Sequence, residues 1–282
     1  MYNYALANSL DDALSRISSG DHRILAGGTD FYPAQVNKPI KESVLDISKL
    51  SELHGIWEED DHWRLGAMTT WSGIADSDLP SAFRCLQLAA REVGALQIQN
   101  AGTIAGNLCN ASPAADGVPP LLTLNAEVEL QSVAGVRRLP LGEFIQGYRA
   151  TACQPDELVT AVLVPKDLDN ARSHFLKLGS RSYLVISMVM VAGVIESTAD
   201  NRVASVRIAV GACSVVAQRL AALEAELVGR ELSPALADVV RADHLATLSP
   251  IDDVRATAAY RLEAAEEMVR RVLAVCGQAE KK

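Results

Sequence analysis

Leu10, Ala13, Leu14 and Ile17 recur at helical spacing behind Ser9, and the run stops at Gly20. The spacing predicts an amphipathic helix capped by a serine hydroxyl. Arg23 to Leu25 reads as a short strand, Asp30 to Val36 as a short helix with Pro33 in its first turn, and Ser43 to Ile47 as a second strand. Helix, strand, helix, strand over residues 1–54 predicts a small α/β unit.

The rhythm changes beyond that point. Leu53 to Trp57 and Trp63 to Leu65 flank the acidic run Glu58-Glu59-Asp60-Asp61, which reads as an exposed turn between strands. Phe83, Leu86, Leu88, Ala90 and Val93 are loosely amphipathic and predict a helix over 81–93. Gln97 to Asn100 leads into a glycine-rich loop, and Pro119-Pro120 marks a break. Ala126 to Leu130, Val136 to Leu141 and Glu157 to Val164 are strand candidates that complete a second unit over 55–168.

Residues 169–282 read differently again. Ser173 to Leu178 and Val203 to Val210 alternate, while Val185 to Val194 is nearly continuous apolar sequence. Three strands with short polar links predict an antiparallel sheet. Ala217 to Leu227 reads as a helix ending at Gly229. A last helix begins at Asp252, its stripe running from Val254 through Leu262 and Val269 to Cys276. The expected fold class is α+β.

Composition narrows the functional classes. The 282 residues are 49% hydrophobic and 22% charged, as in ordinary globular proteins. A net charge of −9 speaks against nucleic acid or an anionic membrane as partner. The cysteines Cys85, Cys109, Cys153, Cys213 and Cys276 are scattered without C-x-x-C spacing, which disfavours a zinc or iron–sulfur site in this chain. They suit a reducing compartment; with no signal-like N-terminal region and no membrane-length apolar run, the expected location is the cytoplasm. The histidines show no ligand spacing, and neither a Ser-His-Asp set nor a paired-carboxylate site can be argued.

Two glycine-rich stretches carry the candidate chemistry. Ala26-Gly27-Gly28-Thr29-Asp30 follows a short strand, and Gly102-Thr103-Ile104-Ala105-Gly106-Asn107 runs on through Asn110 to Asp116. Little Cβ bulk lets backbone N–H groups approach a ligand, and successive N–H groups in tight turns favour phosphate oxygens. Neither stretch is a P-loop or a G-x-G-x-x-G turn. Read alone, each is also compatible with a tight turn that binds nothing.

Together, in order and separation, Ala-Gly-Gly-Thr-Asp at 26–30, Thr-Ile-Ala-Gly-Asn at 103–107 and Ala-Ser-Pro-x-x-Asp at 111–116 resemble the FAD-binding subunit of the molybdenum hydroxylases, the xanthine dehydrogenase, aldehyde oxidase and carbon monoxide dehydrogenase relatives. Gly-Ala-x-Thr at 66–69, Gly211-Ala212 and Tyr260-Arg261 extend the resemblance over nearly the whole chain, while Ala105 departs from the family's usual glycine. The resemblance implies a two-part FAD-binding domain of the vanillyl-alcohol-oxidase-like type and a C-terminal flavoprotein domain. It implies that residues 26–30 and 103–107 cradle the FAD pyrophosphate, and that Asn110 and Asp116 lie by the ribityl chain or the ring. It further implies that Lys177 stands at the flavin pyrimidine edge and stabilises negative charge on the reduced ring.

The implied partners are a small subunit with two [2Fe–2S] clusters and a large subunit with the molybdenum cofactor, assembled as a dimer of heterotrimers. Electrons from the hydroxylation of an N-heterocycle or aldehyde would pass through FAD to an external acceptor. Two other classes fit the glycine stretches: a stand-alone FAD oxidoreductase of the same fold, and an interaction module that binds no cofactor. Trp57, Trp63 and Trp71 are read as packing residues. The isolated chain should be yellow, without iron or molybdenum, and should release its flavin into the supernatant on acid precipitation. Flavin retained in the pellet, or iron–sulfur absorbance in stoichiometric amount, would contradict this.

Overall fold

The computed structural model describes residues 4–36, 39–168, 171–182 and 184–278 and lays them on three main sheets in succession. The first sheet holds β1 (Tyr4–Leu6), β2 (Arg23–Leu25) and β3 (Val44–Asp46) in the order β1-β3-β2, all parallel, with α1 (Leu10–Ser19) crossing from β1 to β2. Ser9 caps α1 by accepting the Asp12 N–H at 3.1 Å, and Ala13, Leu14 and Ile17 are buried with Leu45 and Ile47. Pattern does not reveal β1, because three residues carry no period. The helix expected over 30–36 is a single 3₁₀ turn, Pro33–Gln35, since so short a run cannot offset the cost of nucleating an α-helix.

The second unit opens with β4 (Ile56–Glu58) and β5 (His62–Gly66) around the acidic turn. It continues through α2 (Trp71–Asp76), α3 (Arg84–Glu92), α4 (Leu96–Ala101), α5 (Ile104–Asn110) and α6 (Val118–Thr123). Then come β6 (Glu127–Ser132), β7 (Gly135–Pro140), α7 (Leu141–Phe144), the small ribbon β8 (Ile145–Gly147) with β9 (Ala150–Thr151), and β10 (Leu158–Pro165). The sheet order is β4-β5-β10-β6-β7, antiparallel throughout.

Three segments here depart from expectation. The glycine-rich stretch after Thr103 is the helix α5 rather than a loop: the Thr103 hydroxyl accepts the Gly106 N–H at 3.1 Å, and Ile104, Ala105 and Leu108 are buried. Glycine and asparagine lower helix propensity, but a cap and a buried face outweigh them. Ala105, the departure from the family pattern, lies inside this helix, where alanine is at ease. Pro119 and Pro120 open α6 instead of breaking the chain, because first-turn positions need no N–H partner. Residues 96–101 form α4 where only a lead-in was expected.

The third sheet is β11 (Arg172–Leu178), β12 (Val189–Ser197), β13 (Val203–Gly211) and β14 (Gln218–Arg219), antiparallel in that order, followed by α8 (Ala221–Leu227) and α9 (Ala258–Cys276). It has four strands rather than three, since residues 218–219 join the sheet before the helix begins. α9 starts at Ala258 rather than Asp252. Asp253 accepts the Arg255 and Ala256 N–H groups in a turn, Thr257 caps Tyr260 N–H at 3.2 Å, and Val254 is 98% exposed rather than part of the stripe.

The continuous apolar run of β12 has a clear cause: the strand is buried on both faces. Val189, Val191 and Ile195 pack with Val269 and Val272 of α9, while Met190, Ala192 and Val194 join the core of Leu86, Ala89 and Leu121. Between them a Cβ on Gly193 would come within 2.6 Å of Val272 Cγ1. Gly193→Ala should therefore cost about 1–3 kcal/mol by overpacking, read as a lower Tm. Adding Val272→Ala should relieve the clash, so that the double variant loses less than the sum of the two. Strictly additive losses would show that the contact is not the cause.

Candidate cofactor site

A cavity of about 540 Å³ lies between the first and second sheets, within the range of cofactor sites. Its narrowest wall is a meeting of backbones. A Cβ on Gly27 would stand 1.8 Å from the Ala101 carbonyl oxygen and 3.2 Å from Gly102 Cα, so no other residue fits this approach. Gly28 follows with φ +73, left-handed backbone that favours glycine.

The two glycine stretches serve this cavity in different ways. Among the described residues, no protein acceptor meets the backbone N–H groups of Gly27, Gly28, Thr29 or Asp30, which all line it. At the start of α5 the N–H groups are already satisfied: Ile104 donates to Thr69 O at 2.9 Å, Ala105 to Ala67 O at 3.3 Å and Gly106 to the Thr103 hydroxyl. The free donors for an anion therefore come from the first turn, and α5 contributes shape and side chains. Asn107 lines the cavity with its Oδ1 buried and without a protein partner.

Ala26, Gly102, Thr103, Ala105, Gly106 and Asn110 also line the cavity. Asp116 and Lys177 do not. They meet each other: Lys177 Nζ donates to Asp116 Oδ2 at 2.7 Å and to the Glu92 carbonyl at 2.9 Å, and the Ser187 hydroxyl donates to Asp116 Oδ1 at 2.7 Å. Both side chains are buried, at 5% and 9% exposure. Burial pushes the Asp116 carboxyl up, with the Lys177 ammonium and the Ser187 hydroxyl pulling it down. Lys177 is thus paired with Asp116 rather than lining the cavity, because two buried opposite charges are best satisfied by each other.

Several lining residues carry no local signal in sequence. Trp71 packs as expected yet also faces the cavity, joined by Val93 and Ile98, while Arg149, Cys153, Glu157 and Val159 close the far side. Desolvation raises the thiols of both cavity cysteines, Cys109 and, to about 11, Cys153. Both stay protonated near neutrality, and neither is set up as a nucleophile. Among the described residues no group of three or more His, Cys, Asp or Glu could hold a metal, and no helix is long and apolar enough to cross a membrane.

A parallel α/β unit and an antiparallel sheet thus flank a cavity lined by amides that meet no protein acceptor among the described residues. Residues 1–167 match the family described as FAD binding domain in molybdopterin dehydrogenase, and the chain belongs to it as an FAD-binding oxidoreductase subunit of the molybdenum hydroxylase type. Residues 174–275 match the CO dehydrogenase flavoprotein C-terminal domain. The nicotine 6-hydroxylase medium subunit of Paenarthrobacter nicotinovorans is 32% identical over 277 residues, 97% of this chain and 96% of its own. The nicotinate dehydrogenase FAD-subunit of Eubacterium barkeri is 40% identical over 174 residues, 59% of this chain and 58% of its own. A chain of the CO dehydrogenase from Oligotropha carboxidovorans superposes with a TM-score of 0.88 at 26% identity, covering 98% of each.

The residues present fit FAD. Unpaired amides at Gly27–Asp30 suit a diphosphate, and the missing Cβ at Gly27 is what brings the two segments together. Gly27→Ala should force them apart and weaken FAD binding at least tenfold, on the order of 1.4 kcal/mol or more, lowering the flavin-to-protein ratio. Gly106→Ala should do less, since its Cβ would meet only the Thr103 hydroxyl, at 2.8 Å. Visible absorbance gives the ratio, and circular dichroism checks the fold. Equal flavin content in both variants would contradict this assignment of the narrow wall.

Proposed function

We propose that this chain passes electrons from an iron–sulfur partner through FAD to an external acceptor, in a complex whose molybdenum subunit hydroxylates an N-heterocycle or aldehyde. The observation that carries the reading is the set of N–H groups at Gly27–Asp30 that meet no protein acceptor among the described residues, on a cavity that Gly102 and Thr103 also line. FAD bound there supplies redox chemistry that no amino-acid side chain can.

The chain's own residues bind and orient. The amides of Gly27 to Asp30 hold the diphosphate, helped by the hydroxyls of Thr29 and Thr103, and Asn107 and Asn110 offer amides to the polar linker of the cofactor. Trp71, Val93 and Ile98 form an apolar wall that excludes water. Asp116 and Lys177 act from behind it by fixing the turn after α5 against β11. In this division, residues 1–54 and 55–168 are the two halves of the flavin site, and 169–282 buttress it.

Hydroxylation itself falls to the partners: a small subunit with two [2Fe–2S] clusters and a large subunit with the molybdenum cofactor, as a dimer of heterotrimers. The names of the relatives support this assignment, since two are a medium subunit and an FAD-subunit of enzymes for nicotine and nicotinate. In the purified complex, anaerobic addition of the heterocycle should bleach the visible flavin absorbance, while the isolated yellow chain should stay unbleached. Bleaching of the isolated chain at the rate of the complex would make it a stand-alone oxidoreductase. A colourless chain that takes up no FAD would make it an interaction module.

A further inference from the structure

We propose that Arg149 is the cation of the cofactor cavity, its guanidinium pairing with an anionic group of bound FAD. The proposal rests on the FAD reading above and adds a residue that neither glycine motif contains.

Among the described residues, the charged groups on the cavity wall are Arg23, Asp30, Arg149 and Glu157. Two arginines line it, Arg23 and Arg149. Arg23 is engaged: its Nη1 meets Glu42 at 3.0 Å and its guanidinium lies over the Phe31 ring. The Glu157 carboxylate on the same wall is held by Arg137 at 2.5 and 2.8 Å. The Lys177 ammonium is taken by Asp116. Arg149 has no ion pair and no side-chain hydrogen bond among the described residues; its guanidinium rests 5.7 Å from the centre of the exposed Tyr148 ring. FAD brings a dianionic diphosphate, and on reduction a further negative charge on the flavin pyrimidine ring. One unengaged cation facing that ligand is a complementary arrangement.

The backbone at Arg149 is held in place for it. Arg149 is left-handed, with φ 51, and its N–H donates to the Ala111 carbonyl at 3.0 Å. Ala111, the C-cap of α5, is itself left-handed with φ 43. Glycine or asparagine would relax such a position, so an arginine there runs against local preference. The hydrogen bond ties the root of the guanidinium to the far end of α5, beside Asn110. At ~1.5 Å per residue that helix is about 10 Å long, so an arginine side chain starting there can reach toward the diphosphate or stay by the ring.

The test compares the full-length apoprotein of wild type with Arg149→Gln, Arg149→Gly and Arg149→Lys. FAD binding is followed by quenching of flavin fluorescence, and the midpoint potential by reductive titration at one ionic strength. If the partner is the diphosphate, Gln and Gly should weaken oxidised FAD binding about tenfold with the potential unchanged. If it is the reduced ring, the potential should fall while affinity for oxidised FAD holds. Lys should retain part of either effect. Arg149→Gly relaxes the backbone, so a thermal melt at or above wild type would exclude a folding defect. Wild-type affinity and potential in both Gln and Gly would overturn the proposal. Failure of the wild-type apoprotein to take up FAD would instead overturn the FAD reading itself.

Discussion

The structure depends on one close approach of backbone to backbone, Gly27 against the Ala101 carbonyl. It joins a parallel α/β unit to an antiparallel sheet at a point where a single methyl group cannot be placed. Without it the unpaired amides at 27–30 would face solvent, and the cavity would have no second wall. Water would then compete for every donor, and a concavity for an anion would become an ordinary surface turn.

The C-terminal sheet stabilises the other side of that wall. The Ser187 hydroxyl, just ahead of β12, bonds Asp116, Lys177 of β11 completes the ion pair, and Ala212 N–H donates to the Pro113 carbonyl. Buried Arg261 of α9 ties the two ends of this contact by donating to the Met188 and Ala212 carbonyls at 2.7 and 3.3 Å. Removing either member of a buried ion pair leaves a stranded charge worth about 3–5 kcal/mol. The third sheet is therefore not an appendage. It shares a core with the helices under the cavity through one face of β12.

Much of the site was legible because backbone chemistry leaves traces in composition. A position that admits no Cβ must be glycine, so Gly27 and Gly28 mark the turn in any reading of the chain. Other parts of the lining were not legible: Val93, Arg149 and Val159 are common residues in ordinary contexts, and only folding brings them to one cavity. The ion pair of Lys177 was not legible for a related reason. A sequence shows a charge but not its counter-charge, and here the partner lies 61 positions away.

Sequence by itself determined the periodic elements: the capped α1, the alternating strands, the nearly continuous apolar run that becomes β12, and the absence of bulk at the two glycine stretches. Local propensity and short-range hydrogen bonds act within a few residues, so they are written there. Tertiary structure decided what those elements do. Burial of Ile104 and Leu108 turned an expected loop into α5, and capping by Thr69, Ala67 and Thr103 used up its amides. That left the first turn to supply the free donors. Which donors stay unpaired depends on every acceptor in reach, and that set exists only once the chain has folded.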